Sequence, residues 1–389
     1  MSPSIEYLQQ TDDKDLDGTV TFSEGIITFA QSFYVHASTL ALAHIPKTHK
    51  LRETVDYNTG PIRVREINMS EAAVNIQSNV STLLITGFGQ MGNLKYVYFA
   101  LALFAFILTI YVNVGLIVVI WLKESLHQPM YIFLCHLSLN GLYGSIALYP
   151  KLLHDFLSEV QAITRIGCLA QLYCIHTYAA LECTILTVMA IDRFLSICRP
   201  LQYHSIMTSL AVSSLLIFTW VFPLCVFGVT VALTSRLPLC GYIIEKVYCD
   251  NWSLSRLSCV STTTESMYMV FVTVIFPGMP FLIVIISYQQ ILQACLKASP
   301  KVKGKAFNTC APHIITFVNY CVNLLFEIIS LRLGDKNLPS ALCSFMSLQL
   351  FIVPPLLNPI VYTIRLTEIR SAVVEVIQRT RLIICLHSP

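Results

Sequence analysis

Charged side chains are scarce in this sequence. Only 12% of its 389 residues are Asp, Glu, Lys or Arg, whereas about 25% is usual in soluble domains. The net charge is only +3 and no long basic block occurs, so nucleic-acid binding is not expected. The chain also lacks a nucleophile–base set and an HExxH pattern, so we predict no enzyme activity and no required cofactor. The polar N-terminus lacks the pattern of a signal peptide, and none is expected.

Hydrophobic residues, by contrast, make up 55% of the chain and gather in long runs. An apolar run of about 20 residues can cross the hydrocarbon core of a bilayer as one helix. Seven runs reach about that length, so we predict an all-α membrane protein, surrounded by lipid, with a seven-helix domain over residues 95–365. The predicted spans lie near Tyr96–Leu122, Met130–Leu153, Gly167–Ile197, Leu210–Leu233, Met267–Leu292, Cys310–Ile329 and Leu342–Ile364.

Lysine and arginine are only slightly more frequent in the loops on one side of these spans. The tight cluster Lys297–Lys305 favours that side as the cytoplasmic one. After the last span, Ile369, Val373, Val374 and Ile377 recur at helical spacing. We therefore predict that residues 366–389 form an amphipathic helix and tail on the inner membrane surface.

The first 67 residues are polar and unlike the rest of the chain. Within them, DKDLDGTVTFSE matches the calcium-loop pattern D-x-D-x-D-G-x5-E of the EF-hand. Hard oxygen ligands suit Ca²⁺, and the central glycine permits a sharp turn. The alternative is an acidic surface turn. Residues 1–40 are thus predicted to be an EF-hand-like segment with a possible Ca²⁺ site formed by Asp13, Asp15, Asp17, the carbonyl of Thr19 and Glu24.

Residues 41–94 are predicted to be an extracellular tail, and two glycosylation sequons, at Asn68 and Asn79, lie in it. A third sequon lies at Asn251, between the fourth and fifth predicted spans. Four cysteines also lie on the side opposite the lysine cluster, where an oxidising compartment would favour disulfides. Four cysteines allow three pairings, and the residues are Cys168, Cys240, Cys249 and Cys259.

The stretch Met189–Tyr203, read MAIDRFLSICRPLQY, follows some twenty lipid-compatible residues. Charge is cheap at the edge of a bilayer and costly at its centre, so Arg193 should lie at the inner face, paired with Asp192. Taken alone, this could be a chance ion pair at a helix end. However, the stretch resembles the signature that ends the third span of odorant receptors, a branch of the rhodopsin-like G-protein-coupled receptors. Motifs resembling the same family follow in order from about Asn79 to Arg370, at Leu126–Tyr131, Ser287–Tyr288, Lys305–His313 and Pro355–Tyr362.

The resemblance implies an odorant receptor in the plasma membrane of sensory cilia, with its N-terminus outside and its C-terminus in the cytoplasm. Its partners would be a small organic odorant and a stimulatory heterotrimeric G-protein that raises cyclic AMP. The family also implies two disulfides, Cys168–Cys249 and Cys240–Cys259.

A proline within a span removes a backbone hydrogen bond and permits a bend, as expected at Pro280 and Pro359. An agonist that fits an open form of the bundle better would shift the population toward that form. The resemblance implies that opening exposes a cytoplasmic cleft for the G-protein. The expected switch residues are Asp192, Arg193, Tyr288, Asn358, Pro359 and Tyr362.

The ligand pocket is expected among inward-facing residues in the outer halves of spans three, five and six. No Asp lies in the outer half of span three, so a fixed counter-ion for an amine is missing there. Mostly apolar walls with a few polar groups suit small organic molecules. Each candidate could equally be a packing residue, and the set is Tyr173, Ile175, His176, Ala179, Thr273, Phe276, Asn319 and Tyr320.

Glu182 is an acidic residue within the third span, and such a residue is by default a functional candidate. The family has an Asp in the second span where this chain has Gly141, which puts a sodium site built from two carboxylates in doubt. Glu182 is therefore expected to be protonated, or paired with Asn113 or Asn140.

Two alternatives to an odorant receptor remain open from the sequence. The first is a receptor of the same fold for a non-odour ligand, and the second is a calcium-binding module fused to a receptor. A transporter or channel would be expected to show paired broken helices or rings of charge within the spans, and the sequence shows neither.

Overall fold

The computed structural model describes residues 81–89, 91–297, 299–333 and 340–386. The predicted calcium segment, with Asp13, Asp15, Asp17, Thr19 and Glu24, lies outside the described residues. The sequons at Asn68 and Asn79 lie outside them as well. The calcium site and these two glycosylation sites therefore stay predictions.

Seven helices in the described part of the chain are long and apolar enough to cross a membrane, which confirms the predicted fold class. The first three spans are α1 (Leu94–Leu122), α2 (Pro129–Leu157) and α3 (Arg165–Cys198). A short helix, α4 (Pro200–Ile206), then precedes the fourth span, α5 (Ser209–Ser235). A short helix, α6 (Asn251–Arg256), precedes the fifth span, which consists of α7 (Thr263–Thr273), a π-helical turn (Val274–Gly278) and α8 (Met279–Leu296). The last helices are α9 (Pro300–Leu333), α10 (Ser340–Arg365) and α11 (Thr367–Leu386), of which α9 and α10 carry the sixth and seventh spans.

Local sequence explains several helix starts. Pro129 and Pro200 stand at the first turn of α2 and α4, where the missing N–H costs nothing. The Thr164 hydroxyl caps α3 by accepting from the Gly167 amide at 3.1 Å. In the fifth span, the π-helical turn contains Pro277 and lies just before Pro280, so the helix is irregular where a bend was expected.

The third span is the central helix of the bundle. It packs against the second, fourth, fifth and sixth spans, and 67% of its most apolar window is buried, against 22% for the fourth and the fifth. Large apolar side chains such as Phe104, Ile217 and Phe281 instead lie exposed on the outside of the bundle. A surface of this kind is stable in lipid and costly in water.

A small sheet and two disulfides close one end of the bundle, here called the outer end. Strand β1 (Thr82–Ile85) pairs antiparallel with β2 (Ala162–Thr164) and parallel with β3 (Ile243–Ile244). The disulfides join Cys168 to Cys249 and Cys240 to Cys259. Leu83, Ile85, Ile163 and Ile244 form an apolar cluster around Cys168 and Cys249. This sheet and the two disulfides together are called the cap. The cap holds the loop before β3 and the loop before the third span against each other.

The sequon at Asn251 lies in this cap, and its side chain is buried. Only 5% of Asn251 is exposed, and its Oδ1 accepts a hydrogen bond from the Thr234 hydroxyl at 2.5 Å. A glycan on the amide nitrogen requires an exposed side chain. The structure therefore argues against the predicted glycosylation at Asn251.

At the other end, here called the inner end, α11 follows the seventh span directly. Ile369 and Ala372 on this helix are buried, and Glu375 forms an ion pair with Lys123 at 2.5 Å. Since Lys123 follows the first span, α11 is joined by this pair to the loop between spans one and two.

Candidate functional site

A cavity of about 150 Å³ lies between the outer halves of spans three, five, six and seven. The loop between spans four and five also lines it, through Tyr248 and Asp250. Most of the lining is apolar or aromatic, with a few polar groups, as is usual for small-molecule pockets. The lining includes Ile175, His176, Ala179, Phe227, Tyr248, Asp250, Thr273, Phe276, Tyr320, Glu327 and Phe351.

Six of the eight predicted pocket residues line this cavity, namely Ile175, His176, Ala179, Thr273, Phe276 and Tyr320. The other two, Tyr173 and Asn319, do not belong to its lining. Tyr173 donates from its hydroxyl to the Leu224 carbonyl of the fourth span at 3.2 Å, so its polar end points to a neighbouring helix. Asn319 interacts within its own helix, where its Oδ1 lies 3.4 Å from the Asn323 side-chain nitrogen.

An ion cluster forms part of the cavity wall, and we call it the outer ion cluster. Lys246 lies with its Nζ 2.5 Å from Glu327 Oε1 and 3.3 Å from Asp250 Oδ2. The Tyr248 hydroxyl donates to Glu327 Oε1 at 3.2 Å, and the Ser347 hydroxyl donates to Oε2 at 2.8 Å. Glu327 therefore ties the loop between spans four and five to spans six and seven.

The charges within the outer ion cluster stabilise one another. Burial alone would lower the pKa of Lys246, but the carboxylates of Asp250 and Glu327 outweigh burial and raise it above its usual value. Burial, and then the negative charges of Glu327 and Asp250, likewise raise the pKa of Tyr248. Lys246 is thus a cation and Tyr248 a neutral hydroxyl at physiological pH.

Sequence reasoning missed Tyr248, Asp250 and Glu327. For Glu327 a signal was available, because it is an acidic residue inside the sixth predicted span, the feature that drew attention to Glu182 in the third. Asp250 and Tyr248 flank Cys249, and their place at the cavity depends on the disulfide that attaches this loop to the third span.

At the inner end, Arg193 is held by its neighbour Asp192, with 3.4 Å between Nη2 and Oδ2. Asp192 is almost fully buried, and its Oδ1 accepts a hydrogen bond from the Tyr203 hydroxyl of α4 at 2.7 Å. Burial, followed by the charge of Asp192, raises the pKa of Tyr203, so this hydroxyl stays a donor. A buried carboxylate with two partners fixes Arg193 at the end of the third span.

His313 joins three spans near the inner end. Its Nε2 lies 2.7 Å from the Leu186 carbonyl of the third span, and its Nδ1 lies 2.8 Å from the Tyr288 hydroxyl of the fifth. A carbonyl oxygen only accepts, so Nε2 carries the proton and Nδ1 accepts from Tyr288. The sixth span is thereby tied to its two neighbours through one ring.

A buried polar group lies about one helical turn from the cavity, on the side toward the inner end. Glu182 accepts hydrogen bonds from Asn140 Nδ2 at 2.9 Å and from Asn358 Nδ2 at 2.6 Å. Of the two partners expected for Glu182, Asn140 is therefore present and Asn113 is not. Asn358, expected at the hinge of the seventh span, holds that span to the third.

Asn113 has a different role, which Pro355 and Pro359 of the seventh span explain. A helical carbonyl at Pro355 would accept from the N–H of residue 359, but that residue is a proline and has none. Asn113 Nδ2 donates to the Pro355 carbonyl instead, at 2.8 Å. A Cβ on Gly141 would lie 3.2 Å from Asn113 Oδ1 and 3.3 Å from Pro355 Cβ. The absence of a side chain at Gly141 thus leaves room for this contact.

Comparison with known proteins agrees with these motifs and with the helical architecture. A family model described as "Olfactory receptor" matches residues 102–380. The chain belongs to the olfactory receptor family. It is 35% identical to human olfactory receptor 52D1 over 68% of this chain and 84% of that protein. It is 34% identical to human olfactory receptor 2G6, over 76% and 93%, and 33% identical to rat olfactory receptor 1468, over 80% and 98%.

Membership places the chain among odorant G-protein-coupled receptors, which are multi-pass plasma-membrane proteins and not enzymes. The outer end of this olfactory receptor is then the extracellular end, and Arg193 lies at the cytoplasmic end. Members of the family typically need no cofactor. Among the described residues, no group of three or more His, Cys, Asp or Glu side chains could hold a metal ion.

The substitution His313→Phe is expected to raise agonist-independent signalling of this olfactory receptor several-fold. Phenylalanine keeps a ring stacked near Phe317, but both hydrogen bonds to the neighbouring spans are lost, at about 1 kcal/mol each. Basal cyclic AMP, normalised to receptor at the cell surface, measures the effect. The control is His136→Phe, which breaks only the contact with the Trp220 indole. Equal basal signalling in the two variants would contradict a restraining role for His313.

Proposed function

We propose that this receptor binds small organic odorants in the cavity between spans three, five, six and seven, and that binding activates a stimulatory G-protein through Arg193. The observation that carries the proposal is the cavity itself, which is largely apolar and is lined on its outer side by a disulfide-held loop. The predicted switch residues lie on the same helices at the opposite end.

Two rigid helices connect the cavity to the inner end. Ala179 lines the cavity, and Arg193 lies fourteen residues further along the third span, roughly 21 Å away. Tyr320 also lines the cavity and donates to the Ala179 carbonyl at 2.7 Å. His313 lies seven residues before Tyr320, two turns or roughly 10 Å toward the cytoplasm. A ligand that displaces Tyr320 therefore acts on the same helix that His313 restrains.

Three restraints between the cavity and the inner end define the closed form of the bundle. His313 ties the sixth span to spans three and five, Glu182 ties the third to the seventh through Asn358, and Asp192 holds Arg193. An odorant that binds more tightly when these contacts are broken shifts the population toward an open form. Tyr288 and Tyr362 then regroup around Arg193, and the cleft between spans receives the G-protein.

Filling the cavity tests this assignment. The substitution Ala179→Leu adds three carbon atoms to the cavity wall and is expected to weaken the response to odorants at least tenfold, because ligand and leucine compete for one space. The measurement is the odorant concentration that gives half-maximal cyclic AMP. Ala100→Leu, on the exposed face of the first span, is the matched control. An unchanged concentration in Ala179→Leu would place the binding site elsewhere.

We further propose that the segment around Asp13–Glu24 binds Ca²⁺ through the carboxylates of Asp13, Asp15, Asp17 and Glu24. The support is the loop pattern, which has an oxygen-bearing side chain at each defining ligand position. Isothermal calorimetry of a peptide covering residues 5–33 is expected to give heat of binding at millimolar Ca²⁺. An Asp13→Asn, Glu24→Gln peptide should give none, and a silent native peptide would leave only an acidic turn.

A further inference from the structure

Hydrogen-bond donors on the cavity wall are already engaged with other parts of the protein. The hydroxyl of Tyr320 donates to the Ala179 carbonyl, and that of Tyr248 donates to Glu327. The Lys246 ammonium lies between the carboxylates of Glu327 and Asp250. A ligand with an accepting head group therefore meets few free donors here, apart from the hydroxyl of Thr273.

Acceptors, by contrast, are in excess. His176 lines the cavity, and its Nδ1 lies 2.9 Å from the Leu172 carbonyl. Since a carbonyl only accepts, Nδ1 carries the proton, and Nε2 of the neutral ring is an acceptor. Two carboxylates, Asp250 and Glu327, also contribute to the lining. Their four oxygens offer about eight lone-pair sites, and the five contacts from Lys246, Tyr248, Ser347 and the Ser253 amide use only part of them.

The charges of the outer ion cluster do not cancel. Asp250 and Glu327 supply two negative charges, and Lys246 supplies one positive charge, which leaves an excess of one negative charge at the cavity wall. The side chains of Lys246, Asp250 and Glu327 are at most 16% exposed, so solvent screens this charge only weakly. A second cation would neutralise the excess negative charge of the cluster, whereas a carboxylate would be repelled by two like charges.

We propose that the cavity recognises small apolar molecules that carry a protonated amine, with Glu327 and Asp250 as counter-ion and His176 as a further acceptor, and that it rejects carboxylates. This inference rests on the proposed function of the cavity as the odorant site. It also supplies the counter-ion that the third span lacks, because the carboxylates come from the sixth span and the extracellular loop. Neutral alcohols, which donate one hydrogen bond and carry no charge, should rank between amines and acids.

Compounds with one skeleton and different head groups test the proposal. The probes are pentylamine, pentan-1-ol and pentanoate, together with benzylamine, benzyl alcohol and benzoate. Binding to the purified full-length receptor in lipid nanodiscs is measured by thermal shift, and signalling by cyclic AMP in cells. Both amines are expected to bind at least tenfold more tightly than the matching carboxylates. Tighter binding of the carboxylates, or no binding of either amine, would overturn the proposal.

Glu327→Gln removes the excess negative charge while keeping the shape of the side chain. Affinity for the amines should fall at least tenfold, affinity for the alcohols should change less than threefold, and the carboxylates should gain. Glu245→Gln, an exposed acid next to Lys246 in the same loop, is the matched control and should leave all affinities unchanged. A uniform loss for all six probes would show a structural role and overturn the proposal.

The two readouts separate this inference from the function on which it rests. Amines that stabilise the purified receptor but raise no cyclic AMP would support the charge preference and contradict activation from this cavity. Carboxylates that bind and signal would support activation from this cavity and contradict the charge preference. If Glu327→Gln does not reach the membrane folded, the comparison of head groups on the native receptor decides alone.

Discussion

Replacing Arg193 with alanine is expected to abolish the cyclic AMP response to odorants while leaving the receptor at the cell surface. The guanidinium is the cation at the inner end of the central helix, and its partner there is the carboxylate of Asp192. Its removal leaves the buried carboxylate of Asp192 with the hydrogen bond from Tyr203 alone, which costs the closed bundle some stability. The open form loses the group around which Tyr288 and Tyr362 are proposed to regroup. The loss should therefore appear mainly in signalling.

Two further variants make the Arg193 experiment specific. Arg193→Lys keeps the positive charge but lacks the planar fork of donors, so we expect a response reduced about tenfold and not abolished. Arg199→Ala removes an exposed cation six residues further along and should respond like the native receptor. All responses are normalised to receptor stained at the surface of intact cells. A native response from Arg193→Ala at equal surface level would contradict the proposed switch.

The seven spans could be predicted because their signal is physical and local. A helix must be about 20 apolar residues long to cross hydrocarbon, and such runs are visible in the sequence without any knowledge of packing. The ends were less accurate, as shown by the second span, predicted near Met130–Leu153 and observed as Pro129–Leu157. Its last two turns contain a contact between Lys151 and Asp155, four residues apart, which stabilises the helix beyond the apolar run.

The extracellular cap could not be predicted in the same way. Strand β1 is only four residues long, and its sequence TLLI also suits the start of a span or an apolar tail. Its pairing with Ala162–Thr164 and Ile243–Ile244 joins segments far apart in the chain. Such pairings depend on where the helices bring the loops, and no local pattern records that.

In the candidate site, too, local features could be predicted and contacts between distant residues could not. Ile175, His176 and Ala179 were expected to face inward from the outer half of the third span, and these residues do line the cavity. The contact between Lys246 and Glu327, by contrast, joins residues 81 positions apart, and the charged wall of the cavity depends on it. His313 was visible as part of a motif, but its contacts with Leu186 and Tyr288 required the structure.

The double substitution Cys168→Ser, Cys249→Ser is expected to remove most of the receptor from the cell surface and to abolish the response of what remains. This disulfide joins the start of the third span to the loop between spans four and five, across 81 residues. In the chain-entropy account, closing a loop of that length stabilises the folded state by up to about 4.5 kcal/mol. It also positions Tyr248 and Asp250, which flank Cys249 and line the cavity. Stability and ligand binding should therefore fail together.

The second disulfide supplies a matched control with the same chemistry. Cys240–Cys259 closes only 19 residues within the extracellular loop, for which the same account gives about 3.2 kcal/mol, and neither cysteine lines the cavity. The variant Cys240→Ser, Cys259→Ser should lose part of its surface level but keep the native odorant sensitivity of the receptors that arrive. Double variants avoid the unpaired thiol that a single substitution would leave. Equal sensitivity in both double variants, once surface level is matched, would contradict a role for Cys168–Cys249 in shaping the odorant site.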